Sequence, residues 1–265
     1  MPHVDSHGVR ISYKLAGRGE PLVLVHGWTA SARLNWEIPG WVRYLAPSHR
    51  LVLPDLRGHG RSEKPHEREA YSLPLMAGDV LAVMDAEGIP DARLFGYSMG
   101  AMVALELLLR APERFPAAIL GGMGIVFRGP AMGDCREREH GQPSRLVRSW
   151  GSRLKGTGSY LRHYDMRAMR AVYKAIFETG RPVDPARLPG ITVPVLVACG
   201  TRDKLCRPAE QLAAALPRGR MFHLPGRGHV GAVPDPLFKA EVERFLAAGA
   251  RPTARFDPRG RPILE

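Results

Sequence analysis

The sequence predicts an α/β domain built as a doubly wound, mostly parallel sheet. Three observations carry this. Compact apolar runs such as PLVLVHG and VPVLVACG end in glycine or polar residues, as strands buried on both faces do. Helix-length stretches separate these runs, and strand–helix alternation implies helical layers packed on a sheet. The chain has 265 residues, 45% of them hydrophobic, which suits one domain with a sizeable core.

The elements follow in order. VRISYKLAG alternates at Val9, Ile11 and Tyr13, the pattern of a half-exposed strand. PLVLVHG and HRLVLPDL are buried strands, followed by a helix at Leu73–Glu87. The strand ARLFGYS runs into a helix at Met99–Arg110, and AAILGGMG is the next strand. Later come VPVLVACG, a helix at Pro208–Leu216, the strand RMFHLPG and a final helix at Pro236–Ala247. Ile125 to about Gly190 breaks this rhythm, because a plain crossover helix needs far fewer residues. This segment is rich in arginine and glycine, with helical pieces expected around Ser144–Leu154 and Tyr160–Glu178. Leu161, Tyr164, Met169, Val172, Ile176 and Phe177 give it apolar faces, which favours a folded cap over a disordered insertion. The division is therefore a core of 1–124 and 191–250, a cap or lid of 125–190, and a basic tail of 251–265 expected to fray.

Composition excludes several function classes. The net charge is +12, but no nucleic-acid-binding module or interleaved aromatic pattern accompanies it. A solvated basic surface is the expectation, with an anionic substrate or partner the weaker alternative. PLVLVHG is too short to span a bilayer, and positions 1–20 contain no apolar core of a signal peptide. No membrane or nucleic-acid partner and a cytoplasmic location follow as expectations. Cys135, Cys199 and Cys206 form no metal-spaced pair, so reduced thiols and no metal site are expected.

Chemistry concentrates at Gly96-Tyr97-Ser98-Met99-Gly100, which fits G-x-S-x-G. Alone, the pattern fits a serine-capped βα turn as well as a strained turn that presents a nucleophile. A serine hydroxyl also needs a base and a group to orient that base. His229, in LPGRGHVGAVPDP, follows a strand and precedes the last helix, at the carboxyl edge of the sheet. Asp203 lies just past the strand of VPVLVACG. Alone it reads as a turn aspartate. His140 and His163 have no obvious partner, and His223 lies within a strand.

The chain order Ser98, Asp203, His229 is that of an α/β-hydrolase. The chain resembles the α/β-hydrolase fold superfamily at HGW (26–28), PDLRGHGRS (54–62), GYSMG (96–100), GTRD (200–203) and GRGH (226–229). The resemblance covers nearly the whole chain outside the cap and tail. It implies the α/β-hydrolase fold, with the cap inserted after the sixth strand. HGW together with GYSMG most resembles the small aryl-esterase and cofactor-free haloperoxidase-like branch. A serine at position 98 argues against the aspartate nucleophile of haloalkane dehalogenases and epoxide hydrolases.

By this resemblance, Ser98, Asp203 and His229 are the catalytic residues. The backbone N–H groups of Trp28 and Met99 form the oxyanion hole. Trp28, Tyr97, Met99 and Met123 are expected to contribute apolar walls near the serine. His26 is expected to brace its loop, and Asp55 and His59 carry no catalytic role. The expected activity is hydrolysis of a small-molecule carboxylic ester without cofactor or metal. Two other chemistries use the same triad: carbon–carbon bond hydrolysis of diketone-type ring-cleavage products, and cofactor-free peracid formation. A non-enzymatic ligand sensor of the same fold is a further alternative. Trp150, Tyr160 and Tyr164 of the cap could face the cavity or only pack the cap on the sheet.

Overall fold

The computed structural model describes residues 1–125, 164–178, 184–205 and 208–248. The expected helix at Ser144–Leu154, the tail, His140, His163, Trp150, Tyr160, Leu161, Cys135 and Cys206 lie outside the described residues.

Among the described residues, eight strands form one sheet: β1 (His3–Ser6), β2 (Val9–Ala16), β3 (Glu20–Val25), β4 (His49–Pro54), β5 (Arg93–Tyr97), β6 (Ala118–Gly121), β7 (Val195–Gly200) and β8 (Gly219–Leu224). Their spatial order is β1-β2-β4-β3-β5-β6-β7-β8. Only the β1–β2 and β2–β4 pairs are antiparallel. The strand β1 was not anticipated. Its hairpin turns at His7 and Gly8, with φ of 53° and 75°, and two successive positive φ values are what a tight two-residue hairpin requires. The Asp5 carboxylate accepts the Gly8 N–H at 3.1 Å and closes that turn.

The central strands are buried on both faces, which is why they read as unbroken apolar runs. Val23, Val25 and Leu94 enter one core with α2 (Leu73–Ala86), α3 (Met99–Arg110) and α5 (Ala209–Ala215). Leu22, Leu24, Phe95 and Tyr97 point the other way, towards α1 (Trp41–Leu45) and α6 (Pro236–Ala248). Side chains alternate along a strand, so the sheet separates two cores. The second core is aromatic. Phe95 lies 4.8 Å from Trp36 and 5.0 Å from Trp41 between ring centroids, and Phe238 of α6 lies 5.2 Å from Trp41.

The loop after β4 is held by side chains folded back on its own backbone. The Asp55 carboxylate accepts the N–H groups of Ala32 at 2.8 Å and Arg61 at 2.9 Å. Arg57 forms a two-pronged pair with Asp79 of α2 at 2.6 and 2.7 Å, and both side chains are buried. Buried charges persist only when paired in this way. The pair ties the loop to α2 and explains an aspartate on the core face of that helix.

Two parts differ from expectation. The helix expected over Tyr160–Glu178 is, among the described residues, α4 (Met166–Tyr173) followed by a wider π turn at Lys174–Glu178. Cys199 at the end of β7 is disulfide-bonded to a partner outside the described residues. The expectation of reduced thiols is therefore corrected at this residue. Cysteine count and spacing argued against a metal, but they do not report which sulfurs folding brings together. No helix among the described residues is long and apolar enough to cross a membrane.

Candidate active site

Parallel pairing aligns the carboxyl ends of five strands. Val25 of β3 is level with Gly96 of β5, Tyr97 with Gly121 of β6, and Gly121 with Ala198 of β7. Gly200 is level with Leu224 of β8. The segments leaving these ends, at 26–28, 98, 122, 203 and 229, open on one edge, where sites form in such sheets.

Ser98 sits between β5 and α3 with φ 56° and ψ −122°. This is a strained conformation for a residue with a Cβ, and such strain clusters at functional turns. Its hydroxyl makes no capping bond to α3. Its N–H donates to the Gly121 carbonyl at 2.8 Å, anchoring the turn to β6. The flanking glycines are required by close backbone approach. A Cβ on Gly96 would stand 2.2 Å from the Gly100 carbonyl oxygen, and one on Gly100 would stand 2.1 Å from the Val25 carbonyl oxygen. Both obstacles are backbone and cannot swing aside. Gly100→Ala is therefore expected to destabilise the fold by about 3 kcal/mol, the upper end for overpacking. Urea unfolding checks this, and an unchanged midpoint would show that α3 can retreat from β3.

The turn brings Ser98 to His229. Nε2 of His229 lies 2.9 Å from Ser98 Oγ, and Nδ1 lies 2.7 Å from Asp203 Oδ2. A carboxylate only accepts, so the proton sits on Nδ1 and Nε2 is left to accept from the serine hydroxyl. The second carboxylate oxygen of Asp203 accepts the Leu205 N–H at 2.9 Å. Asp203 is 1% exposed and Ser98 9%. Burial strengthens this chain of polar contacts by keeping competing water away from it.

Gly27 packs against the serine, since a Cβ there would stand 3.1 Å from Ser98 Cβ. The turn Gly27–Ala30 closes through an Ala30 N–H to Gly27 carbonyl bond of 3.2 Å. Thr29 within it holds φ 62°, unusual for a β-branched residue. The Gly27 N–H donates to Asn35 Oδ1 at 3.1 Å. Asn35 was missed from the sequence, where its signal is one amide in the apolar stretch ARLNWEI. His26 is occupied at both ring nitrogens: Nδ1 donates to the Gly27 carbonyl at 2.8 Å, and Nε2 accepts the Leu56 N–H at 3.0 Å. Burial pushes its pKa down. His59 lies 5.1 Å away between ring centroids, and burial and the His26 charge push it down to about 3. Both rings are therefore neutral braces at ordinary pH.

Trp28 extends from this turn to α4. Its Nε1 donates to the Met169 carbonyl at 3.3 Å, and its ring meets Tyr173 at 5.4 Å and Phe177 at 5.6 Å. Asp165 begins α4 by accepting from the N–H groups of Arg167 and Ala168, and its other oxygen meets His66 Nε2 at 2.9 Å. Burial works to raise the Asp165 pKa, but these hydrogen bonds outweigh it and hold the carboxyl below its usual range. Met99 and Met123 are buried beside the turn.

Tyr97 packs beneath the site. It is 3% exposed, and strand alternation places its ring on the α1/α6 face of the sheet. Its hydroxyl donates to the His229 carbonyl at 2.5 Å. No cluster of three or more His, Cys, Asp or Glu side chains suited to a metal occurs among the described residues.

The alpha/beta hydrolase fold family model matches residues 20–133, which include the Gly27 turn, the Ser98 turn and the strands that position them. A protein of Mycobacterium tuberculosis named a non-heme bromoperoxidase, BpoC, is 26% identical across 91% of this chain and 100% of its own. Its crystal structure superposes with a TM-score of 0.70, covering 91% of this chain and 97% of that one. The chain has the alpha/beta hydrolase fold. The enol-lactonase of Burkholderia xenovorans LB400 shares this fold, with a TM-score of 0.77 at 24% identity over 93% of this chain and 100% of that one. The 2-hydroxymuconate semialdehyde hydrolase of Pseudomonas sp. CF600 is 35% identical over 45% of this chain and 42% of its own length.

Proposed function

We propose that the protein is a serine hydrolase acting on small carboxylic esters. The observation that carries this is the single imidazole of His229, held between Asp203 at 2.7 Å and Ser98 at 2.9 Å. In this reading Ser98 Oγ attacks the acyl carbonyl while His229 Nε2 takes its proton. The developing oxyanion meets the backbone N–H groups of Trp28 and Met99, donors fixed before the reaction begins. One such donor contributes roughly 3 kcal/mol in comparable enzymes. His229 returns the proton to the leaving alcohol, and Asp203 stabilises the imidazolium between these steps. Water, activated by the same histidine, then cleaves the acyl-enzyme and regenerates Ser98.

A p-nitrophenyl ester series of increasing acyl length, combined with fluorophosphonate labelling, tests this. Turnover is expected, with a chain-length limit that measures the pocket, and mass spectrometry should place the phosphonyl adduct on Ser98. Absence of turnover across the series together with an unlabelled Ser98 would sink the proposal.

The likeness to 2-hydroxymuconate semialdehyde hydrolase supports a second reading, carbon–carbon bond hydrolysis by the same three residues. Loss of the visible absorbance of a ring-cleavage dienone, at a higher kcat/KM than any ester, would favour it. The likeness to BpoC supports peracid formation as a side activity, read by bromination of monochlorodimedone with acetate and peroxide.

A further inference from the structure

Tyr97 precedes the serine in sequence, yet its side chain reaches the histidine. The ring lies on the far face of β5, between Phe238 at 6.3 Å and the His229 imidazole at 5.5 Å. Room for it comes from two glycines. A Cβ on Gly121 would stand 2.6 Å from the Tyr97 ring, and one on Gly122 would stand 2.9 Å from Tyr97 Cζ and 3.1 Å from His229 Cε1. The phenol hydroxyl donates to the backbone carbonyl of His229 at 2.5 Å, a short bond for two neutral groups.

His229 needs such support. Its loop contains Gly226, Gly228 and Gly231, and glycine gives a loop more conformational freedom than any other residue. The loop is tied on either side. The Gly226 N–H donates to Thr201 Oγ1 at 2.9 Å, and the Val233 carbonyl accepts from Trp41 Nε1 at 2.8 Å. At the histidine itself, Asp203 fixes the ring and Tyr97 fixes the backbone, from opposite ends of the residue. Burial, and then the negative charge of Asp203, push the phenol pKa well above 10. The hydroxyl therefore remains a donor throughout the working pH range.

We propose that Tyr97 is a positioning residue for His229: its hydroxyl sets the depth at which the imidazole meets Ser98, so one strand end places both nucleophile and base. The proposal rests on the serine-hydrolase reading. It assigns a mechanical role to the variable residue ahead of the nucleophile in G-x-S-x-G.

Tyr97→Phe keeps the ring and removes only the hydroxyl. The full-length variant is compared with wild type on p-nitrophenyl acetate and on ethyl acetate, well below its melting temperature. For p-nitrophenyl acetate, kcat should fall about tenfold with KM unchanged, because small misplacements of a catalytic group are costly. The loss in kcat/KM, which contains the departure of the leaving group, should be larger for ethyl acetate. Its alkoxide leaves only with a proton from His229, whereas p-nitrophenolate leaves without one. The rate of fluorophosphonate labelling at Ser98 should fall in parallel. A variant with a lowered melting temperature but wild-type kcat and labelling rate overturns the proposal, as does an equal loss on both esters. A wild-type protein that does not label at Ser98 overturns the underlying serine-hydrolase reading instead, and this proposal with it.

Discussion

Replacing Ser98 with alanine is expected to lower kcat for p-nitrophenyl acetate by about 10⁶-fold, the loss measured when a serine hydrolase loses its nucleophile. The physical case is local. Alanine keeps the Cβ that packs against Gly27 and accepts the same positive φ at similar strain, so the turn should hold its shape. Only the oxygen 2.9 Å from His229 Nε2 disappears. Thermal unfolding should therefore shift by little more than a degree or two while turnover vanishes. A residual rate above water is expected, because the backbone donors still favour the oxyanion. Steady-state kinetics on the purified variant decide the matter. Activity above about 1% of wild type, beyond what the intact donors explain, would move the nucleophile elsewhere.

Asp203→Asn should cost about 10⁴-fold in kcat, the magnitude found for the equivalent change in a serine protease. Here the surroundings dictate which way the new amide must face. One oxygen of Asp203 accepts the Leu205 N–H at 2.9 Å, and an amide nitrogen turned to that position would set donor against donor. The introduced side chain would therefore keep its oxygen on the Leu205 N–H and turn its NH2 towards His229 Nδ1. That nitrogen would then have to accept, moving the imidazole proton to Nε2. The ring would donate to Ser98 rather than accept from it, and the hydroxyl could not be activated. The variant should fold normally and recover part of its activity at alkaline pH, where hydroxide can take the serine proton in place of the histidine. A variant retaining a tenth of the wild-type rate at neutral pH would show that Asp203 only fills space.

The positions of the candidate site residues were largely legible because they follow from topology. In a parallel sheet the strand ends converge on one edge, so Ser98, Asp203 and His229 could be placed there from strand order alone. The distances between them could not, since they depend on loops whose glycines admit many shapes. Tyr97 illustrates the boundary. Proximity to Ser98 in sequence left its direction open, whereas strand parity, already visible in Phe95 and Tyr97 alternating with Leu94 and Gly96, places its ring on the α1/α6 face. The strand β1 escaped because four residues, HVDS, with a single apolar side chain leave no apolar period to read. The disulfide at Cys199 escaped because three cysteines without a recognisable spacing do not show which sulfurs meet.

The contact between Trp28 and α4 bears on how this enzyme class diversifies. Under the proposed chemistry, proton transfer is handled by residues borne on the sheet. The segment between β6 and β7 could then be exchanged for another without disturbing that transfer. Trp28 is where such an exchange meets a constraint, because under that chemistry its backbone N–H serves the oxyanion while its ring packs on α4 and the turn after it. A transplanted lid would have to supply a carbonyl and an aromatic face at that one position. Grafting experiments would then succeed or fail on a single tryptophan's docking rather than on the match of the lid as a whole.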